Sequence, residues 1–305
     1  MEVEKYNHII VFEDKTTKPE LVDKYKDKIV GRVQRIVDET FDFDISLILR
    51  VVEIDTSKAN YVNHEIMSGY TTMDKKGRFI ICFGIESLEG FEYDGGLDIA
   101  ISITHELGHV YDMYHILNKN YYSYNPLLAK QKRFEDFIIQ IGWDFWTEFF
   151  AYYITFKEFK ELHNYPSFHQ IVVGYQKLVE EYEIIKPNVA DKKNQNVKEL
   201  AHKHIENIEQ FLYATAKYLA GCLAGKQKYY KVKPNKKNYK YIEELDKILV
   251  RFMRLISPMF NNTHGKGMTR KLWNLSRYII MTFYLKYNIR PHKHKGHYTF
   301  AYFTD

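Results

Sequence analysis

His105-Glu106-Leu107-Gly108-His109 is the stretch of this sequence whose residue types and spacing could do chemistry. On a helix, residues four apart stand about 40° apart around the axis and about 6 Å along it. Both imidazoles then share a face, close enough to bind one Zn²⁺ at about 2.0–2.1 Å. Glu106, beside the first of them, can reach a water in an open coordination position and take its proton. A zinc site that does chemistry needs a third protein ligand and an open fourth position. The best candidate is Glu148 in Gly142-Trp-Asp-Phe-Trp-Thr-Glu-Phe-Phe-Ala. A carboxylate in so aromatic a run is expensive unless it has a partner. The expected cofactor is therefore Zn²⁺ on His105, His109 and Glu148. Asp144, one turn before Glu148, is a rival ligand or a support for a metal histidine.

Two helices must present these groups. Ile99, Ile103, Leu107, Val110 and Met113 give the histidine segment an apolar helical pattern, which predicts a buried helix. Phe91–Leu97, with Asp94 or Gly95 near the cap, reads as the loop that enters it. Arg133–Ile141 leads into the glutamate helix, after a tyrosine-rich loop over Asn118–Asn125. Upstream, Asn7–Glu13, Asp44–Ile54 and Arg78–Gly84 read as strands. A helix opens around Thr17-Lys-Pro-Glu-Leu and runs to about Phe41, and Ser57–Gly77 is polar and turn-rich, a hairpin or a loop near the cleft. Downstream, Phe168–Ile185, Asn196–Ala224, Tyr239–Pro258 and Met268–Tyr287 carry apolar residues at three- and four-residue spacing, so the chain reads as almost entirely helical. Arg290–Tyr298, with three histidines among lysines, reads as a basic C-terminal segment rather than a metal site. His202 and His204, two apart on a helix, face different ways and are poor joint ligands. The expected class is α+β, with a boundary near Glu161–Pro166 separating residues 1–160 from a helical lobe over 161–305.

His-Glu-Leu-Gly-His followed, 39 residues after the second histidine, by Glu-Phe-Phe-Ala resembles the gluzincin branch of zinc metallopeptidases. More loosely it is similar to small bacterial and phage-borne metallopeptidases of the ImmA/IrrE type. The resemblance covers roughly residues 75–160 and is specific at the two helices. It implies a zincin-like N-terminal lobe with a small mixed sheet, and peptide-bond hydrolysis with Glu106 as the base. It also implies an edge strand that pairs with extended substrate, for which the third strand or Asn60–Met73 is the candidate. Peptidases of this kind add a donor to the oxyanion, and Tyr152, on the face of Glu148, is the choice here. Thermolysin-like gluzincins often carry an aspartate four residues after the glutamate; Tyr152 occupies that position, which leaves the support of the histidines open. The metzincin pattern fails, because Asp112 stands where its glycine would be, and a helix continuing through Asp112 carries His115 away from the metal.

Composition bounds the rest. With 305 residues, 45% hydrophobic and 16% aromatic, the chain can bury a sizeable core. The net charge of +5 is spread over lysines without a recognisable nucleic-acid-binding motif, so nucleic acid is not the expected partner. No apolar run reaches a membrane span. The N-terminus has no signal-peptide pattern, and Cys82 and Cys222 alone suggest no disulfide framework, so the expected location is cytoplasmic. The expected partner is a peptide or protein substrate; oligomeric state does not follow from the sequence. The alternative is a zinc-binding regulatory protein on the same fold with little or no turnover.

Overall fold

The computed structural model describes residues 19–41, 49–54, 69–73, 79–83, 95–118, 133–159, 166–188, 195–225, 239–260 and 267–302. Contacts divide the chain into two units: Met1–His115 with Lys157–Lys160, and Ile116–Phe156 with Glu161–Asp305. The class is α+β, mostly helical with two small sheets. Among the described residues no helix is long and apolar enough to cross a membrane.

In the first unit, helix α1 (Pro19–Thr40) buries Tyr25, Ile29, Val33, Ile36 and Val37, the stripe expected of an amphipathic helix. Strands β1 (Leu49–Ile54), β2 (Gly69–Met73) and β3 (Phe79–Phe83) form a sheet in the order β1-β3-β2. β1 runs parallel to β3, and β2 antiparallel to it. Phe79 and Ile81, two apart and so on one face of β3, are both buried. Helix α2 (Leu97–Asn118) follows two glycines with positive φ, Gly95 (66°) and Gly96 (86°). It is buried nearly all round: Ile99, Ile103, Leu107 and Val110, but also Thr104 and Asp112, are fully inaccessible. Phe41, just past the end of α1, packs its ring 5.4 Å from that of Tyr111 on α2.

The second unit is built around helix α3 (Phe134–Glu158), which buries Trp143, Phe145, Trp146, Phe149, Phe150 and Ala151. Phe145 stacks on Phe252 at 4.6 Å. Phe252 belongs to α6 (Tyr239–Phe260), whose last residue, Phe260, receives the rings of Trp146, Phe149 and Tyr153. Helix α4 (Phe168–Ile185) starts on a capping box, in which Ser167 Oγ accepts from Gln170 N and Gln170 Oε1 accepts from Ser167 N. This satisfies two orphan donors of the first turn. It packs on α5 (Gln195–Leu223) through Tyr175 with Phe211 and Phe168 with Tyr218. Helix α7 (Met268–Ile279) runs on through a π turn (Ile280–Tyr284) and a 3₁₀ turn (Leu285–Tyr287).

Where α3 meets α7 there is no room for a side chain. A Cβ on Gly142 would lie 2.5 Å from Leu272 O and closer still to Ser276 Oγ. The Gly142 N–H donates to Ser276 Oγ at 2.9 Å, and that hydroxyl donates to Leu272 O. Replacing Gly142 by alanine pushes the helices apart and breaks the buried hydrogen bond from the residue-142 N–H to Ser276 Oγ. The expected loss is roughly 3 kcal/mol, read as a lower denaturant midpoint at unchanged m-value.

The sequence reading needs two corrections. The third strand is not an edge: β3 lies between β1 and β2, the two edges of the sheet among the described residues, and β2 falls inside Asn60–Met73. The segment Ser57–Gly77 contains β2, which pairs antiparallel with β3. The C-terminal segment is not a plain basic tail but a hairpin of β4 (Ile289–His294) and β5 (His297–Tyr302). Lys295 and Gly296, both at positive φ (47° and 86°), form the two-residue turn whose twist matches paired strands. Tyr298 and Phe300 of β5 pack on Phe137 of α3, which gives the hairpin its buried face. Asn7–Glu13 and most of the loop Asn118–Asn125 fall outside the described residues.

Candidate metal centre

α2 carries His105 and His109 on successive turns, and their rings stand nearly perpendicular (88°) with centroids 4.8 Å apart. The two Nε2 atoms are 3.1 Å apart. Two nitrogens bound tetrahedrally at about 2.05 Å to one ion would sit about 3.3 Å apart, so the pair is already close to the bite of a zinc site. His109 is buried and His105 half-buried. The ligand atoms of His105, His109 and a carboxylate oxygen of Glu148 all lie within 4.8 Å of one another, and the three could hold a metal ion. Among the described residues no other group of three or more His, Cys, Asp and Glu side chains comes together in this way. Two imidazoles and one carboxylate are a donor set that suits Zn²⁺.

Glu106 is 6% exposed. Its Oε2 accepts a 2.6 Å hydrogen bond from Thr71 Oγ1, which also lies 3.3 Å from the Glu106 carbonyl oxygen. The edge strand β2 thus fixes the carboxylate next to the first histidine. Thr71 was not legible in the sequence, because it lies in the stretch read as polar and turn-rich, and a single threonine there carries no pattern. A second residue gained its place only in the structure. Asp112, one turn beyond His109 on α2, is a carboxylate with no exposed surface.

Asp144 belongs to no metal-ligating group; its carboxylate accepts from Gln140 Nε2 on the same helix. Tyr152 on α3 touches the hydroxyl of Tyr213 on α5, stacks on Phe156, and carries Lys217 Nζ 4.9 Å over its ring. His115 belongs to α2, and its side chain lies outside the described residues. His202 is exposed, whereas His204 is buried between Leu178 O and the Tyr302 hydroxyl. Burial lowers the pKa of His204, so its neutral ring serves as a packed polar core residue. In the C-terminal hairpin, His294 pairs with His297 across the turn, and both are exposed.

No protein-family description, curated protein or solved structure matches this chain.

Proposed function

We propose that this protein is a zinc-dependent metallopeptidase of gluzincin type, with a zincin-like arrangement around α2. The observation that supports it most is the convergence of His105, His109 and Glu148, with Glu106 held beside His105 by Thr71. When bound, Zn²⁺ would supply Lewis-acid chemistry, polarising a carbonyl and bringing the pKa of a water down toward about 7.

The side chains of the protein supply the rest. Glu106 takes a proton from the water that attacks the scissile carbonyl, and passes it to the departing amine nitrogen. Thr71 keeps its carboxylate from rotating away between these two transfers. The Tyr152 hydroxyl is our choice of donor to the developing oxyanion, with Tyr213 and Lys217 restraining its ring. An extended peptide adding to the outer edge of β2, unpaired among the described residues, would be held by main-chain hydrogen bonds. Thr71, on that strand, would bring the base to the bound backbone.

The test is digestion of a mixed, denatured protein pool, read by mass spectrometry. Purified protein should generate new peptide termini. Dialysis against a chelator should remove the activity, and one equivalent of Zn²⁺ should restore it. Cleavage that continues undiminished in the stripped protein rules the zinc mechanism out. Zinc binding without cleavage of any substrate pool favours the regulatory alternative.

A further inference from the structure

The C-terminal hairpin gathers charge of one sign. Between Ile289 and Tyr302 the sequence places Arg290, His292, Lys293, His294, Lys295 and His297, and no aspartate or glutamate. All six of these side chains are exposed. The register sorts them by face, because residues two apart in a strand point the same way. Tyr298 and Phe300 turn inward onto Phe137 of α3, and their cross-strand partners are Lys293 and Pro291. Arg290, His292 and His294 therefore fall on the outward face of β4, with His297 and Thr299 of β5 opposite the last two. Lys293 lies along the inner side, its Nζ 5.5 Å over the ring of Tyr298, and Lys295 stands in the turn.

Folding thus concentrates on one ribbon the charge that a string of scattered lysines conceals. Lysine on an edge strand discourages unwanted pairing, but that protection is indifferent to the sign of the charge, and here the sign is uniform. At the start of α3, where Phe134 meets Tyr298, Glu135 is exposed and Asp136 is held by Arg133 through two 2.7 Å hydrogen bonds. Both acids lie on the inner side of the hairpin, away from Arg290 and the three histidines.

The complementary partner is a polyanion, and the shape of the ribbon selects which one. Two antiparallel strands stand about 5 Å apart, and a ribbon of two strands fits the major groove of B-form DNA, about 12 Å wide and 8.5 Å deep. The stretch from His292 to Lys295, exposed throughout, rises about 10 Å at about 3.4 Å per residue, so it can reach the groove floor. The major groove of an A-form RNA duplex is too deep and narrow for side chains to read. A membrane would call for apolar side chains at the tip, and His292-Lys-His-Lys-Gly-His297 has none. Pro291 in β4 has no N–H to offer an added peptide strand.

We propose that the C-terminal hairpin binds duplex DNA, its tip entering the major groove. Arg290, Lys293 and Lys295 contact phosphates on the groove walls, which sets position and affinity. The ring nitrogens of His292, His294 and His297 meet base edges. This binding is independent of the metal centre and of the peptidase reading.

The probes are a mixed-sequence DNA duplex about two helical turns long, fluorescently labelled, and the RNA duplex of the same sequence. Anisotropy titration of the full chain in about 50 mM salt should show DNA binding, with log K falling against log salt at a slope of about −2.7 for three phosphate contacts. The RNA duplex should bind about ten-fold more weakly or worse. The Lys293→Gln/Lys295→Asn protein keeps its hairpin, because Asn-Gly is the favoured pair for a two-residue turn. It should lose about ten-fold or more in DNA affinity, with the slope reduced to about −0.9, while zinc content is unchanged. Should that variant fail to fold, the DNA–RNA comparison in wild type decides alone. No DNA binding at about 100 µM protein, equal affinity for the two duplexes, or a folded variant with wild-type affinity and slope overturns the proposal. So does tighter binding to phosphatidylserine vesicles or to polyglutamate than to DNA. DNA binding without any peptide cleavage keeps this proposal and removes the peptidase reading; cleavage without DNA binding does the reverse.

Discussion

Glu106→Gln should lower peptide hydrolysis by about 10²–10⁴-fold, the usual worth of general acid–base assistance, while leaving zinc content and thermal stability close to wild type. The separation follows from what Glu106 touches. It belongs to no metal-ligating group, and its Oε2 is held by Thr71 Oγ1 at 2.6 Å. A glutamine oxygen can accept that same hydrogen bond, so the side chain keeps its place and loses only its ability to carry a proton. If the variant cleaves the same bonds as fast as wild type, Glu106 is not the base. Loss of metal in the variant would instead make Glu106 a ligand and overturn the proposed roles.

Replacing His105 or His109 by alanine should have the other large effect, a drop in zinc affinity of at least a hundred-fold. In the proposed zinc site each imidazole would be one of three protein ligands, and the two Nε2 atoms already stand 3.1 Å apart. Without one of them the ion keeps a histidine and a carboxylate, a pair common on protein surfaces that do not hold zinc. Competition with a chromophoric chelator reads this directly. A His109→Ala protein with wild-type affinity would exclude these ligands.

The metal centre was legible because its rule is local. A four-residue spacing of histidines carries its geometry with it once the segment is a helix. Glu148 was legible for a related reason, as a charge set among Trp146, Phe149 and Phe150 that needs a partner. The helices of the second unit were legible because their apolar spacing is regular and long: α4 begins and ends at the expected residues, Phe168 and Ile185.

What escaped depended on pairing between distant segments. Thr71 reaches Glu106 from β2, inside the Asn60–Met73 segment already offered as a candidate edge, but nothing in that polar stretch singles out this one threonine. The hairpin was hidden by composition. Lysines and histidines on its exposed positions drew attention to charge, whereas Lys295-Gly296 and the alternation of Tyr298, Phe300 and Tyr302 carried the turn and the buried face. Asp144 was read as a possible ligand or support because it shares a helical face with Glu148. Its surroundings in the second unit, Gln140, Tyr284 and Glu209, come from three separate elements, and no single stretch of sequence announces them.

The most direct test of the account is X-ray absorption at the zinc edge, together with elemental analysis, on the purified wild-type chain equilibrated with Zn²⁺. The account predicts one zinc per chain, with two imidazole nitrogens and oxygen donors at about 2.0–2.1 Å and no sulfur. Substoichiometric metal, a sulfur ligand, or an unchanged spectrum and stoichiometry in the His105→Ala/His109→Ala protein would contradict it.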